Sequence, residues 1–201
     1  MNIKLCGMMS RADAMSALEL RPQYIGFILC NRFKRYIAPN EVARIRHEAD
    51  WPPEIKAVGV FVDQEINDVA DIINSGTVDV AQLHGNENED YIKKLRELTG
   101  NPVIKAFKIE TKDDVEKAVK SPADLILLDA GTGAGQTFDW SLVGDVSRDF
   151  ILAGGLNPDN VAAAISMIHP YGVDVSSGIE TEGKKDKKKM RAFVEACTNA
   201  L

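Results

Sequence analysis

Short apolar and β-branched runs recur eight times along this chain, at residues 2–6, 24–29, 57–62, 78–83, 103–107, 124–129, 150–153 and 172–176. Between them apolar residues fall three and four apart, as in Ala12/Met15, Val69/Ile72/Ile73 and Val161/Ala164/Ile165/Ile168. That spacing lays them on one face of a helix. All but one of the intervals between strand starts are 21 to 26 residues, the length of one βα unit, and no Pro/Gly/Ser-rich linker interrupts the series. Strand and helix therefore alternate throughout, which implies a parallel sheet, because parallel neighbours need a crossover connection. An open doubly wound sheet and a closed barrel both satisfy the alternation, and eight units predict the barrel. The expected fold is a single α/β domain over residues 1–201, a (β/α)8 barrel. The chain is close to the lower size limit of that fold, so its loops must be short.

Helix starts carry plausible caps: Ser10 before the first helix, Asn40 before the second, Asn88 before the fourth, and Asn157-Pro158 with proline at the first helical position. The balance of 45% hydrophobic and 27% charged residues is that of an ordinary globular protein. A net charge of −6 argues against non-specific binding to nucleic acid, while leaving room for a local pocket that takes an anion. Three widely spaced cysteines, Cys6, Cys30 and Cys197, suggest neither a disulfide framework nor a zinc ligand set. No apolar run approaches the ~18 residues of a membrane span, and the N-terminus carries no secretory pattern. The expectation is a cytoplasmic protein with no membrane or nucleic-acid partner.

In a barrel of this kind the chemistry sits where the strands end at the C-terminal rim. The residues there are Cys6, Arg35, Asp63, Gln82, His84, Lys105, Asp129, Gly154-Gly155 and Ser176-Ser177-Gly178. Paired glycines let backbone approach an anion, and hydroxyl residues add donors. Gly154, Gly155, Ser177 and Gly178 after strands 7 and 8 therefore fit a phosphate site, although each cluster alone also reads as a tight turn. Cys6 and Asp129 end strands on different sides of the mouth and are the acid–base candidates. A free thiol of pKa about 8.5 is only about 3% ionised at neutral pH, so Cys6 needs cationic neighbours to act as a base. On position alone Cys6 also reads as a small core residue, and Asp129 as a structural hydrogen-bonding carboxylate. The run Lys184 to Lys189 reads as the solvated start of the last helix.

The same segments carry a family resemblance over nearly the whole chain: Lys4-Leu5-Cys6-Gly7, Gly26-Phe27, Arg35-Tyr36, Val58-Gly59-Val60-Phe61, Gln82-Leu83-His84-Gly85, Lys105-Ala106-Phe107, Leu128-Asp129, Gly135 to Trp140, Leu152 to Val161 and Gly172 to Glu180. In this order, each at a predicted strand end, they resemble the phosphoribosylanthranilate isomerases of tryptophan biosynthesis. The resemblance implies an Amadori rearrangement of a small-molecule sugar phosphate, with no cofactor and no metal, by a monomer or homodimer. It implies Asp129 as general acid and Cys6 as general base, and Arg35 on the anthranilate carboxylate. Gln82, His84 and Asp174 become secondary substrate contacts. The chain departs from the family after strand 2, where Asn31-Arg32-Phe33-Lys34 replaces the usual Ser-Pro lead into Arg-Tyr. The glycine-rich loop from Ala130 to Gln136 also looks shorter than in many relatives, and flexibility is expected of it. A metal-dependent phosphate-binding barrel such as ribulose-phosphate epimerase is the rival enzyme, but no convincing ligand set is present. A catalytically silent barrel is the other rival, and intact Cys6 and Asp129 argue against it.

Overall fold

The structure is a computed structural model that describes residues 1–129, 140–143 and 146–200. Eight strands close into a parallel barrel in sequential order: β1 (Asn2–Cys6), β2 (Tyr24–Ile28), β3 (Lys56–Phe61), β4 (Val80–Leu83), β5 (Val103–Lys108), β6 (Leu125–Asp129), β7 (Phe150–Ala153) and β8 (Gly172–Val175). Pairing of β1 with β8 closes the ring, with Lys4 opposite Asp174. Helices α1 (Arg11–Leu18), α2 (Pro39–Glu48), α3 (Ile66–Asn74), α4 (Glu89–Thr99), α5 (Lys112–Val119), α6 (Val161–Ile168) and α7 (Lys187–Asn199) follow the strands, with a 3₁₀ turn at Trp140–Val143 between β6 and β7. The barrel expected from the alternation is the one observed, each strand within two residues of its predicted start.

Alternation along each strand sorts side chains into two layers. Ile3, Leu5, Ile25, Phe27, Leu83, Leu128, Val173 and Val175 point outward and pack against the helices in one large core. Val58, Val80, Ile104, Ala106, Leu127, Ile151 and Ala153 form a second, smaller cluster inside the ring. Parity then places Lys4, Cys6, Gln82, Asp129 and Asp174 on the inner side. The apolar plug fills the lower barrel and leaves polar groups near its upper end.

Two predicted caps hold: Ser10 accepts from the Asp13 N–H, and Asn88 from the Tyr91 N–H. Two move. Helix α2 begins at Pro39 after Ala38, with no side-chain cap, so Asn40 lies inside its first turn. Helix α6 begins at Val161 rather than at Pro158, because Asn157 Oδ1 accepts from the Asp159 and Asn160 N–H groups and closes a turn of its own. The lysine run also divides. Lys184–Lys185 form β10, which pairs antiparallel with β9 (Glu180–Thr181) around Glu182 and Gly183, both at positive φ. Asp186 then caps α7, accepting from the N–H groups of Lys188 and Lys189. Among the described residues, no helix is long and apolar enough to cross a membrane.

Candidate active site

Cys6 ends β1 and is 5% exposed. Its partner across β2 is Gly26, and a Cβ there would stand 2.7 Å from the Cys6 sulfur and 3.1 Å from Lys4 Nζ. The missing side chain is the space that the thiol and the ammonium occupy. Lys4 is fully buried and donates to Asp174 Oδ1 at 2.9 Å. Burial opposes charge on this ammonium, but Asp174 and Cys6 outweigh it and raise the lysine pKa. Burial pushes the Cys6 thiol up; Lys4 pulls it down, Asp174 pushes it up and Lys185 pulls it down, and the sum lies above the ordinary value. The cationic neighbours that sequence reasoning required are thus present, although one of them was read as a solvated lysine. Lys185 is in fact buried, and the hairpin, not helix α7, carries it.

Asp129 ends β6 and faces His84, with Nε2 to Oδ2 at 3.2 Å. Since β4 and β6 are separated by β5, this contact spans the inner side of the mouth. His84 in turn meets Gln82 Nε2 through Nδ1 at 3.1 Å, and the buried Gln82 Oε1 has no partner among the described residues. Predicted only as a substrate contact, His84 is also tied to the proposed acid. The link was invisible in sequence because it joins side chains two strands apart.

Arg35 lies in the loop after β2 with its fork on Glu180: Nε to Oε1 at 2.6 Å and Nη2 to Oε2 at 2.8 Å. Glu180 Oε1 also accepts from Lys185 Nζ at 2.7 Å. Burial alone would raise the Glu180 pKa, but Arg35 and Lys185 lower it below the usual carboxylate range. Glu180 was legible in sequence only as the end of a motif.

Next to β8 in the ring, Gly154 and Gly155 take φ of +93° and +66° after β7, in the left-handed region open to glycine. The loop after β8 packs against this turn so closely that a Cβ on Gly178 would stand 2.0 Å from the Leu156 carbonyl oxygen. The short extra helix that often completes a phosphate site in this fold is here a 3₁₀ turn at Ser177–Ile179, with Ser177 exposed.

Two rim candidates are engaged by the loop after β4. Lys105 points into the outer layer, where Nζ binds the Gly85 carbonyl at 2.7 Å and Glu87 at 3.1 Å. Asp63 accepts from the Asn86 N–H and side chain. Both brace the loop that follows His84. The loop from Ala130 to Gln136 lies outside the described residues, and among those described no cluster of three or more His, Cys, Asp or Glu is placed to hold a metal ion.

Titratable groups gathered inside the C-terminal mouth of a closed eight-stranded barrel place the chain among the (β/α)8-barrel enzymes, which keep their chemistry at that end. The sequence profile described as N-(5'phosphoribosyl)anthranilate (PRA) isomerase matches residues 3–196. The chain belongs to that family. An N-(5'-phosphoribosyl)anthranilate isomerase of Acetivibrio thermocellus is 39% identical, with 96% of this chain and 93% of the relative covered. A phosphoribosyl anthranilate isomerase solved in complex with reduced 1-(o-carboxyphenylamino)-1-deoxyribulose 5-phosphate superposes with TM-score 0.87 at 36% identity, covering 98% of both chains. The enzyme from Thermus thermophilus superposes with TM-score 0.88 at 32% identity, covering 100% of both.

Proposed function

We infer that the protein converts N-(5'-phosphoribosyl)anthranilate to 1-(2-carboxyphenylamino)-1-deoxyribulose 5-phosphate, an intramolecular redox isomerisation in tryptophan biosynthesis. The observation that carries the site assignment is the pair of proton-transfer groups, Cys6 among cations and Asp129 against His84, on the inner side of one barrel mouth. Asp129 enters as a carboxylic acid and protonates the ribose ring oxygen while the anilino nitrogen lone pair drives C1–O cleavage, giving a protonated Schiff base. The Cys6 thiolate removes the C2 proton, and those electrons form the C1–C2 double bond of an enolamine as the C=N bond becomes a C–N single bond. Tautomerisation gives the ketone. No electrons leave the substrate, so no redox cofactor enters the balance. Positioned acids and bases each contribute typically about 10²–10⁴-fold.

Arg35 binds the anthranilate carboxylate through the part of its guanidinium that Glu180 leaves open, the planar group offering five donors in a fixed geometry where an ammonium offers three. Glu180 already holds Nε and Nη2, which orients the fork and leaves Nη1 to face substrate. Gln82 Oε1, buried and without a protein partner among the described residues, accepts from a substrate hydroxyl. His84 orients Asp129, and Asp174 acts through Lys4. Gly154, Gly155, Ser177 and Gly178 cradle the phosphate. The cytoplasm is the expected compartment, and the working unit is a monomer or a homodimer. The test is turnover of N-(5'-phosphoribosyl)anthranilate by purified protein in the presence of a chelator, with complementation of a tryptophan auxotroph lacking this step. Conversion and growth are expected; failure of both refutes the reading.

A further inference from the structure

Lys185 is a buried cation that the acid–base scheme leaves unused. Its side chain is 0% exposed although it belongs to the short hairpin strand β10. Burying an ammonium is costly unless charge and hydrogen bonds compensate it. Here Nζ donates to the Ser176 carbonyl at 2.8 Å and to Glu180 Oε1 at 2.7 Å. Those contacts offset part of the cost, burial still holding the Lys185 pKa below the ordinary lysine value, and do not explain why the charge lies where it does. A Cβ on Gly7 would stand 2.8 Å from Ser176 Oγ, 2.9 Å from Arg35 Cδ and 3.4 Å from Lys185 Nζ. Lys185 and Arg35 therefore close in on the residue directly after Cys6.

Among the described residues, the charged groups that act on Cys6 or pair with those that do are Lys4 from β1, Asp174 from β8, Arg35 from the loop after β2, and Glu180 and Lys185 from the hairpin. Lys4 is matched by Asp174 and Arg35 by Glu180. One positive charge is left over. A thiolate at Cys6 brings this half-buried cluster to neutrality, whereas a neutral thiol leaves an excess cation where little water can screen it.

We propose that Lys185 is a positioning residue for the reaction: its ammonium supplies the unmatched positive charge that favours the ionised form of Cys6, the form that accepts the C2 proton. The inference rests on the reading of Cys6 as the base. Burial and Asp174 resist that ionisation, while Lys4 and Lys185 support it.

The ionisation of Cys6 is measured without substrate, by thiolate absorbance from neutral to alkaline pH, each protein referenced to itself with Cys6→Ala added. Lys185→Met is expected to move the titration up by about one unit, to lower turnover about tenfold at neutral pH, and to recover as the pH is raised. Lys185→Arg restores most of the wild-type profile. Glu180→Gln removes a negative charge from the same cluster and is expected to move the titration the other way. A purely structural Lys185 would change KM or thermal stability and leave both titrations in place. A Lys185→Met titration superimposing on wild type, or a Glu180→Gln titration that fails to move down, overturns the proposal. If Lys185→Met does not fold, Glu180→Gln decides alone. Wild-type turnover by Cys6→Ala, with the titration shifts intact, would instead reject Cys6 as the base.

Discussion

A base works only when deprotonated, and burial raises the Cys6 pKa. The wild-type kcat/KM is therefore expected to keep rising with pH beyond the ordinary thiol value of about 8.5, read from a pH–rate profile. A plateau at neutral pH would contradict that placement of the thiol. Cys6, Asp129 and Arg35 could be singled out from sequence because each closes or follows an apolar strand, where barrel geometry puts chemistry. Their partners could not, since Glu180 meets Arg35 across 145 positions and Lys4 meets Asp174 across 170, separations that no local pattern encodes. Lys185 was misread for a physical reason: within a run of five lysines and one aspartate, a single buried ammonium is indistinguishable by composition. Arg35→Lys keeps the charge but loses the two bonds by which Glu180 orients the guanidinium, so steady-state kinetics should show KM up about tenfold with kcat little changed.

Elements were easier to locate than their ends. Strand bounds followed from apolar runs because both faces of a barrel strand are buried, one against helices and one against the inner plug. Helix starts failed at Asn40 and Asn157, where an asparagine side chain bonds the neighbouring backbone, at Glu41 and at Asp159 and Asn160, instead of capping a helix. The β9–β10 hairpin went unseen because its signal is only Glu182-Gly183 at positive φ between two-residue strands. The loops after β7 and β8 act as one unit through the approach of Gly178 to the Leu156 carbonyl. Gly178→Ala must push those backbones apart. It is expected to cost about 1–3 kcal/mol in denaturant unfolding and to raise KM for the phosphorylated substrate, with far less effect on kcat.

At the scale of the molecule, the alternation of eight strands with helices was enough to predict closure, since the barrel is an architecture that buries every strand and leaves no edge. Interior polarity was not, because it depends on which inward positions meet across the ring. The buried groups also set the alkaline limit of stability. Burial pushes the Cys197 thiol up to about 12, and Cys6 is raised in the same direction. Above the ordinary thiol pKa the unfolded chain loses these protons while the folded one keeps them, so stability falls as pH rises from about 9. Thermal unfolding should show a falling Tm across that range, and a smaller fall in Cys197→Ala.

The proposed mechanism assigns both proton transfers to one thiol and one carboxyl group at a single barrel mouth. Its most direct test is single-turnover conversion of N-(5'-phosphoribosyl)anthranilate by wild type, Cys6→Ala and Asp129→Asn, each shown to be folded and to bind the substrate. A loss of at least about a hundredfold in each variant is predicted. Wild-type rates in either folded variant would exclude that group from proton transfer.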